Sequence, residues 1–201
     1  MRKMIITGVT SGIGKALSEK YDGSYLAKYK DLIEVEGHSR RYNKHDIEHI
    51  KEWFDPKGDI FINNAYNDYK WWAQTQALLF VFHLWKDDPN KHIISVSSIA
   101  SEKDTDDYPI GHSRYTAGKI SLDKINLECY EKTAKHNGCK ISLLRPGWVE
   151  TPRTTRLATL VNRVYDHKLE PNMLSPEQCV ECIDHMINFS GRIREMTIEA
   201  E

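Results

Sequence analysis

The sequence predicts an α/β fold in which a mostly parallel sheet is covered by helices on both faces. Short apolar runs alternate with helix-like segments along the whole chain. The runs are apolar on both faces, which is typical of strands in a buried parallel sheet, and parallel strands need crossover segments of this length. The 201 residues contain no linker or repeat, so a single domain over 1–201 is expected.

The predicted elements can be placed in order along the chain. Apolar runs predict strands at 3–8, 31–37, 59–65, 91–98, 139–147 and 195–201. Helical periodicity or helix-start signals predict helices at 12–22, 46–54, 71–86, 114–136 and 175–189. Ligands of such sheets bind beyond the carboxyl ends of the strands, so the residues that follow each strand are the first candidates for a functional site.

Composition and charge disfavour several classes of protein. The 28 basic and 29 acidic side chains give a net charge of −1, and they are scattered, so neither nucleic acid nor anionic lipid is expected as a main partner. The longest apolar run, at 77–85, is too short to cross a bilayer. The N-terminus leads directly into a strand and leaves no room for a secretion signal. A cytoplasmic protein without a membrane partner is expected.

The four cysteines predict neither a disulfide framework nor a metal site. Cys179 and Cys182 form a single C-x-x-C inside a helical pattern, and no second pair of ligands accompanies them in the sequence. Reduced thiols, buried or half-buried, are therefore expected, and no metal is predicted.

A glycine-rich turn follows the first strand. In TGVTSGIG, Gly8, Gly12 and Gly14 precede a predicted helix. Glycines allow a positive φ and a close approach of backbone to a ligand, and the N–H groups of a helix start favour a pyrophosphate. The spacing G-x-x-x-G-x-G differs from the usual G-x-G-x-x-G, so a dinucleotide site and a plain tight turn both remain open.

The second predicted strand ends on the basic loop EGHSRR. An acidic residue at such a place accepts from the 2′-hydroxyl of an adenosine ribose, whereas an arginine suits a 2′-phosphate. Ser39, Arg40 and Arg41 favour the phosphate, and Glu36 argues mildly against it. A solvated basic loop is the alternative interpretation.

The fourth predicted strand is followed by a serine, and then by a tyrosine and a lysine one helical turn apart. Tyr115 and Lys119 are at positions i and i+4 and share a helix face, and Ser98 ends the strand before them. Such a set suits carbonyl reduction, because a tyrosine can move the proton while a serine holds the oxygen and a lysine lowers the tyrosine pKa. Alone, the Tyr-x-x-x-Lys pair is also compatible with an ordinary surface helix.

Taken together, six motifs in order resemble the short-chain dehydrogenase/reductases, which have a single Rossmann-like domain. They are TGVTSGIG at 7–14, HDI at 45–47, NNA at 63–65, SVSS at 95–98, YTAGK at 115–119 and RPGWVET at 145–151. The resemblance covers nearly the whole chain. It implies an oxidoreductase that transfers a hydride between a nicotinamide cofactor and a small carbonyl or alcohol substrate, and the basic loop favours NADP(H) over NAD(H).

The resemblance also implies roles for individual residues. Tyr115 would be the catalytic acid/base, Ser98 would position the carbonyl, and Lys119 would bind the nicotinamide ribose and lower the tyrosine pKa. Val149 and Thr151 would hold the nicotinamide carboxamide. Besides Tyr115 and Lys119, the implied cofactor contacts are Gly8, Thr10, Ser11, Gly12, Ile13, Gly14, Ser39, Arg40, Asp46, Ile47, Asn63, Asn64, Ala65, Pro146, Gly147, Val149 and Thr151.

Two residues depart from the usual family pattern. Tyr66 stands where the family has the glycine of Asn-Asn-Ala-Gly, and Gln74 falls near the place of an Asn that supports a proton relay. The resemblance also implies a variable substrate lid at 151–174, made basic here by Arg153, Arg156 and Arg163. Two alternatives stay open: a non-catalytic NADP(H)-binding sensor or scaffold, and a nucleotide-sugar epimerase or dehydratase, although the longer chain usual in the latter is missing.

The predicted helix at 71–86 carries apolar residues on nearly every side. A helix exposed to water would not tolerate this, so another of its faces must be covered. The resemblance implies that this helix and the helix of Tyr115 form an interface between subunits. A homodimer or homotetramer is therefore expected, and a helix buried within one subunit is the alternative.

Overall fold

The computed structural model describes residues 3–21, 54–66, 70–102, 113–165 and 172–201. Within these ranges the strands form one sheet in the order β1-β2-β3-β4-β5, and every neighbouring pair is parallel. The strands are β1 (Met4–Ile6), β2 (Ile60–Asn63), β3 (His92–Val96), β4 (Lys140–Pro146) and β5 (Glu195–Ile198). The predicted parallel sheet is confirmed.

Five α-helices accompany the sheet in the same ranges. They are α1 (Gly12–Lys20), α2 (Ala73–Trp85), α3 (Ser113–Lys135), α4 (Pro152–Tyr165) and α5 (Pro176–Asn188), with a 3-10 turn at Ile99–Ser101 after β3. None of the helices in the described part of the chain combines the length and the apolar composition that a membrane crossing needs. The predicted strand at 31–37 and most of the predicted helix at 46–54 lie outside the described residues.

Helices cover both faces of this sheet. Alternation along the strands directs Ile62 and Ile94 to one face, where α1 and α5 pack. Phe61 and Ile93 point to the other face, where α2 and α3 pack. Because both faces are covered, β2 and β3 are buried along their whole length, which explains the continuous apolar runs from which the sheet was predicted. The predicted helices on both faces of a parallel sheet are confirmed, and the fold is doubly wound.

The segment predicted as a substrate lid begins with a helix, α4. Two threonines define its start: Thr154 N donates to Thr151 Oγ1 at 3.2 Å, and Thr151 N donates to Thr154 Oγ1 at 3.0 Å. These bonds satisfy amides that a helix start leaves without intrahelical partners, and Pro152 suits the first helical position. Leu174, the last residue of the lid segment, donates its N–H to the carbonyl of Trp148 at 2.7 Å, which ties the end of the lid to the chain just before its start.

The cysteines are free thiols, as predicted. Three are buried and Cys182 is half-buried. Burial raises the pKa of Cys139 and of Cys179 to about 12, so both thiols stay protonated at neutral pH. Their environment is that of small apolar core residues.

Candidate active site

A buried polar cluster lies at the carboxyl edge of the sheet, between the sheet and helices α2 and α3. Asn63 ends β2, Gln74 lies in the first turn of α2, and Lys119 lies in α3. Each is at most 4% exposed. A buried ammonium is costly unless it is well hydrogen-bonded, so the partners of Lys119 define the cluster.

Lys119 is anchored by α2 and β3. Its Nζ donates to Gln74 Oε1 at 2.9 Å and to the carbonyl oxygen of Val96 at 2.9 Å. An ammonium has three N–H donors, so these two bonds leave the third for another acceptor. Burial lowers the pKa of Lys119 from 10.5 to about 7; the charge of Asp123 opposes this decrease and the charge of Arg153 adds to it. Lys119 therefore titrates near neutral pH.

Gln74 is itself held by the ends of two strands. Its Nε2 donates to the carbonyl of Asn63 at 2.7 Å and to that of Val96 at 2.9 Å. In return, Asn63 Nδ2 donates to the main-chain carbonyl of Gln74 at 2.8 Å. These bonds fix the amide so that Oε1 faces Lys119. Gln74 thus lies beside the lysine.

Tyr115 lies one turn before Lys119 in α3 and is half-buried. Its ring centroid is 5.5 Å from Lys119 Nζ. The ring also contacts Tyr66 edge to face, with 4.8 Å between the centroids and an interplanar angle of 78°. The predicted tyrosine and lysine therefore do share one face of a helix at the edge of the sheet.

Arg153 joins this aromatic pair from the lid helix α4, a contact that the sequence did not reveal. Its Cζ lies 4.6 Å from the ring centroid of Tyr66 and 5.2 Å from that of Tyr115. Lys119 Nζ lies 5.4 Å from the Tyr66 ring. Cations at such distances are attracted by aromatic faces. Tyr66, at the position where the family has glycine, thus packs between the tyrosine–lysine pair and the lid.

Ser98 follows β3 and precedes the 3-10 turn. Its Oγ accepts from Ala100 N at 3.2 Å, and the residue is buried. This bond orients the hydroxyl without using its proton, which remains able to donate. The neighbouring hydroxyls of Ser97 and Ser101 both contact Asp123 on α3. Asp123 was not singled out in the sequence, although its i+4 spacing from Lys119 was a usable signal.

The turn after β1 has the backbone that its glycines predicted. Gly8 has a φ of +75° and Gly12 a φ of +54°, a region that residues with a Cβ rarely adopt. A Cβ on Gly14 would lie 2.0 Å from the carbonyl oxygen of Gly8, and one on Gly12 would lie 2.8 Å from Thr151 Cγ2. The turn therefore depends on glycine, and it lies against the residue that begins the lid.

The start of α1 fits a pyrophosphate group. Ser11 is the N-cap residue, yet its side chain makes no capping bond, and none of the first-turn residues of α1 is acidic. The first amides and the positive end of the helix dipole are thus left for an anion. Thr10 and Ser11 are exposed, whereas Ile13 is buried in the core.

Two residues of the NNA motif close the same turn from the side of β2. Thr7 Oγ1 accepts from Asn64 N at 3.0 Å and from Ala65 N at 2.9 Å. Asn64 Nδ2 donates to the carbonyls of Thr7 at 3.1 Å and Gly8 at 3.3 Å. Asn63 instead points into the buried cluster with Gln74. Thr7 was missed as a site residue, because its role depends on contacts with a distant segment.

The turn after β4 is hydrogen-bonded to β5 and paired with the end of the lid. Gly147 N donates to the carbonyl of Ile198 at 2.7 Å. Val149 is buried and pairs with Leu174, and Pro146 is the last residue of β4. The segment from β4 to the lid therefore returns to the same edge of the sheet as the glycine turn.

Four of the predicted cofactor residues lie outside the described residues. They are Ser39, Arg40, Asp46 and Ile47. The predicted preference for NADP(H) depends on the first two, so it stays a prediction.

Solved structures with the same fold span nearly the whole chain. Levodione reductase has a TM-score of 0.72 at 12% identity, over 98% of this chain and 96% of that chain. The closed form of serine dehydrogenase complexed with NADP+ has a TM-score of 0.65 at 17% identity, over 98% and 94%. An oxidoreductase of the short chain dehydrogenase/reductase family from Burkholderia thailandensis has a TM-score of 0.63 at 15% identity, over 98% and 91%.

Comparison with protein-family models gives no match, and comparison with curated protein sequences gives none either. The solved structures nevertheless define the class by its architecture. The chain has the fold of the short-chain dehydrogenase/reductases, with five parallel strands of one sheet flanked by helices in the described ranges. The resemblance drawn from the six motifs is confirmed at the level of the fold.

Proposed function

We propose that the chain is an NADP(H)-dependent oxidoreductase that transfers a hydride between its cofactor and a carbonyl or alcohol substrate. The observation that carries this proposal is the buried lysine beside Tyr115. Burying an ammonium costs free energy, and an apolar side chain at the same place in α3 would avoid that cost. A lysine of lowered pKa beside a tyrosine, at the edge of a parallel sheet, is an arrangement suited to proton transfer.

Ser98 and Tyr115 act on the oxygen of the substrate in this proposal. Ser98, oriented by Ala100 N, donates its proton in a hydrogen bond to the carbonyl oxygen. Tyr115 gives its phenolic proton to that oxygen in reduction and takes it back in oxidation. An ordinary tyrosine has a pKa of about 10, and a nearby cation is needed to stabilise the phenolate at neutral pH. Lys119 supplies that charge while it is protonated.

The residues at this edge fit a dinucleotide, as judged by the glycine turn and the uncapped start of α1. Ser11 and the first amides of α1 would hold the pyrophosphate, the third N–H of Lys119 would bind a ribose hydroxyl, and Val149 and Thr151 would hold the carboxamide. A nicotinamide cofactor bound there would supply or accept the hydride. Arg153, near the Tyr115 ring, would add a second positive charge on the substrate side.

The role of Tyr115 can be tested with Tyr115→Phe. Loss of the proton donor should lower turnover by about 100-fold or more, while NADPH binding stays within about a factor of three because the lysine remains. Turnover is followed as oxidation of NADPH with a panel of ketones and aldehydes, and binding is followed by calorimetry. Tyr130→Phe, on the same helix, is the matched control and should retain activity. Unchanged turnover of Tyr115→Phe would contradict the mechanism.

The cofactor preference can be tested with Arg40→Ala. If Arg40 contacts the 2′-phosphate, this change should weaken NADPH binding by about 10-fold or more and leave NADH binding nearly unchanged. Arg156→Ala serves as a control for the general loss of one positive charge. Equal affinity of the unsubstituted protein for NADPH and NADH would rule out the preference.

A non-catalytic NADP(H)-binding protein is a second candidate, and one observation favours it. The Tyr66 ring, at 4.8 Å from the Tyr115 ring, occupies space beside the proposed acid/base. The two candidates differ in a simple way, because a sensor would bind NADPH without turning over any carbonyl compound in the panel.

A further inference from the structure

Asp123 lies at the centre of a hydrogen-bond network beside Ser98. It is on α3, one turn after Lys119, and its side chain is 12% exposed. Its Oδ1 accepts from Ser97 Oγ. Its Oδ2 accepts from Ser101 Oγ at 2.6 Å and from Arg145 Nε at 2.6 Å. Both carboxylate oxygens are therefore engaged, and two of the three donors come from one short segment.

The two serines bound by Asp123 flank Ser98 in the chain. Ser97 precedes it, and Ser101 ends the 3-10 turn that follows it. Ser101 N donates to the carbonyl of Ser98 at 3.1 Å. Ser101 Oγ lies 2.7 Å from the same carbonyl, so its single proton serves either that oxygen or Asp123. Within this loop Ala100 N orients the Ser98 hydroxyl. One carboxylate thus holds both ends of the loop that presents Ser98.

Arg145 holds the carboxylate in place from β4. Besides Asp123, its guanidinium contacts Glu195 Oε2 at 2.9 Å and Glu102 Oε1 at 3.3 Å through Nη1. The Arg145 and Asp123 side chains are 11% and 12% exposed, so this pair is largely shielded from solvent, whereas Glu195 and Glu102 are more exposed. The ion pair with Arg145 uses only Oδ2 of Asp123. The second oxygen is used by Ser97.

We propose that Asp123 is a positioning residue of the site formed by Ser98, Tyr115 and Lys119, and that it acts by holding the serines on both sides of Ser98. This inference rests on the proposed function, from which Ser98 and Lys119 take their roles. Asp123 has a second effect on the site. Burial lowers the pKa of Lys119, and the charge of Asp123 counteracts that decrease. Among the residues that the structure describes, the other titratable or charged groups near Lys119 are Arg153 on α4 and the phenols of Tyr66 and Tyr115.

Hydrogen exchange of the cofactor-free protein tests whether Asp123 holds the loop that presents Ser98. Asp123→Asn keeps the shape of the side chain and removes its charge. Glu195→Gln is the matched control, because it also removes a carboxylate from Arg145 but contacts neither serine. Exchange in a peptide spanning Ser97 to Glu102 should rise by about 10-fold in Asp123→Asn and stay within about 2-fold in the control. Equal exchange in both variants would overturn the proposal. The comparison needs neither cofactor nor turnover, so it is independent of the proposed function.

The pH dependence of NADPH binding tests whether the charge of Asp123 raises the pKa of Lys119. Binding should weaken as Lys119 loses its proton with rising pH. Removing the charge of Asp123 lowers the pKa of Lys119 further, so the midpoint of this loss should move to lower pH by about half a unit to one unit in Asp123→Asn. If Asp123 had only a structural role, the pH midpoint of NADPH binding would not move in Asp123→Asn. We expect no shift in the control Glu195→Gln. An unmoved midpoint in Asp123→Asn would overturn this part of the role.

Ser97→Ala and Ser101→Ala provide the same test if Asp123→Asn does not fold. Each removes one hydroxyl from the carboxylate and leaves the ion pair with Arg145 intact. Each should raise exchange of the loop by about 3-fold to 10-fold. Unchanged exchange in both serine variants would show that the carboxylate does not hold the loop, and the proposal would fail.

Discussion

Lys119 shows at the scale of one residue how stability and function compete in this site. The residue is 3% exposed, and its buried ammonium is compensated by two hydrogen bonds and one nearby carboxylate. The pKa of about 7 means that the folded state holds the proton weakly compared with the unfolded state, where the pKa is near the ordinary 10.5. Below neutral pH the fold therefore carries the full cost of a buried charge.

Lys119→Met should increase the free energy of unfolding relative to the unsubstituted protein, and this increase should be larger at low pH than at high pH. Between pH values of about 7 and 10.5, only the unfolded state binds the proton, so the stability of the unsubstituted protein rises with pH in this window. The advantage of the methionine variant should accordingly shrink by a few kcal/mol from about pH 6 to about pH 10. Urea unfolding at both pH values measures it. Lys124→Met, exposed on the same helix, is the control, and an advantage independent of pH would contradict the assigned burial.

The turn between β1 and α1 shows how elements are joined at the site. Its backbone requires positive φ at Gly8 and Gly12, and Gly14 lets the first turn of α1 pass against the carbonyl of Gly8. The amides of Asn64 and Ala65 then bond to Thr7 on the other side. The turn is thus fixed by packing between elements as well as by its own sequence.

Gly14→Ala should destabilise the protein because the new Cβ would lie 2.0 Å from the carbonyl oxygen of Gly8. Backbone would have to move, and we expect a loss of about 1–3 kcal/mol in the free energy of unfolding. Gly147→Ala is the matched control, since its Cβ would lie at ordinary contact distances of 3.4 Å or more. Thermal and urea unfolding compare the two. Equal stability of both variants would show that the turn is more open than described.

Apolar side chains on the outer surfaces of α2 and α3 bear on how the whole molecule assembles with other copies of itself. Leu79 and Leu84 on α2 are 36% and 51% exposed, and Ile120 and Leu127 on α3 are 46% and 38% exposed. The inner residues of α2 are covered by the sheet and by α3, so burial within one subunit accounts for only part of its apolar surface. The predicted homodimer or homotetramer would cover the rest.

Replacing Leu84 and Ile120 together by Glu should shift the protein toward monomers. Charged groups in a buried apolar contact are strongly unfavourable, so the dissociation constant should rise by about 100-fold or more. Sedimentation velocity over a range of concentrations measures the change. Phe189→Glu, an exposed apolar residue just after α5, is the control and should leave the assembly unchanged. A monomeric unsubstituted protein would contradict the predicted oligomer.

The element ends show how much could be predicted from local sequence. The strand predicted at 91–98 is observed as β3 at His92–Val96, and the helix predicted at 175–189 is observed as α5 at Pro176–Asn188. Both depend on periodicity and capping, which involve residues close together in the chain. The helix α4 was predicted only as part of a variable segment, because its start depends on a pair of threonines that cap each other.

The pairing of Tyr115 with Lys119 and the glycines of the turn after β1 are encoded by residues close together in the chain, and the alternation of apolar runs with helical segments along the chain predicted the parallel sheet. Only the tertiary structure decided that Asp123 meets the loop of Ser98 and that Arg153 lies over the rings of Tyr66 and Tyr115. These contacts join segments more than 20 positions apart, such as Ser101 with Asp123 at a separation of 22. They arise from how closely a helix packs on a strand, and local spacing does not encode that distance.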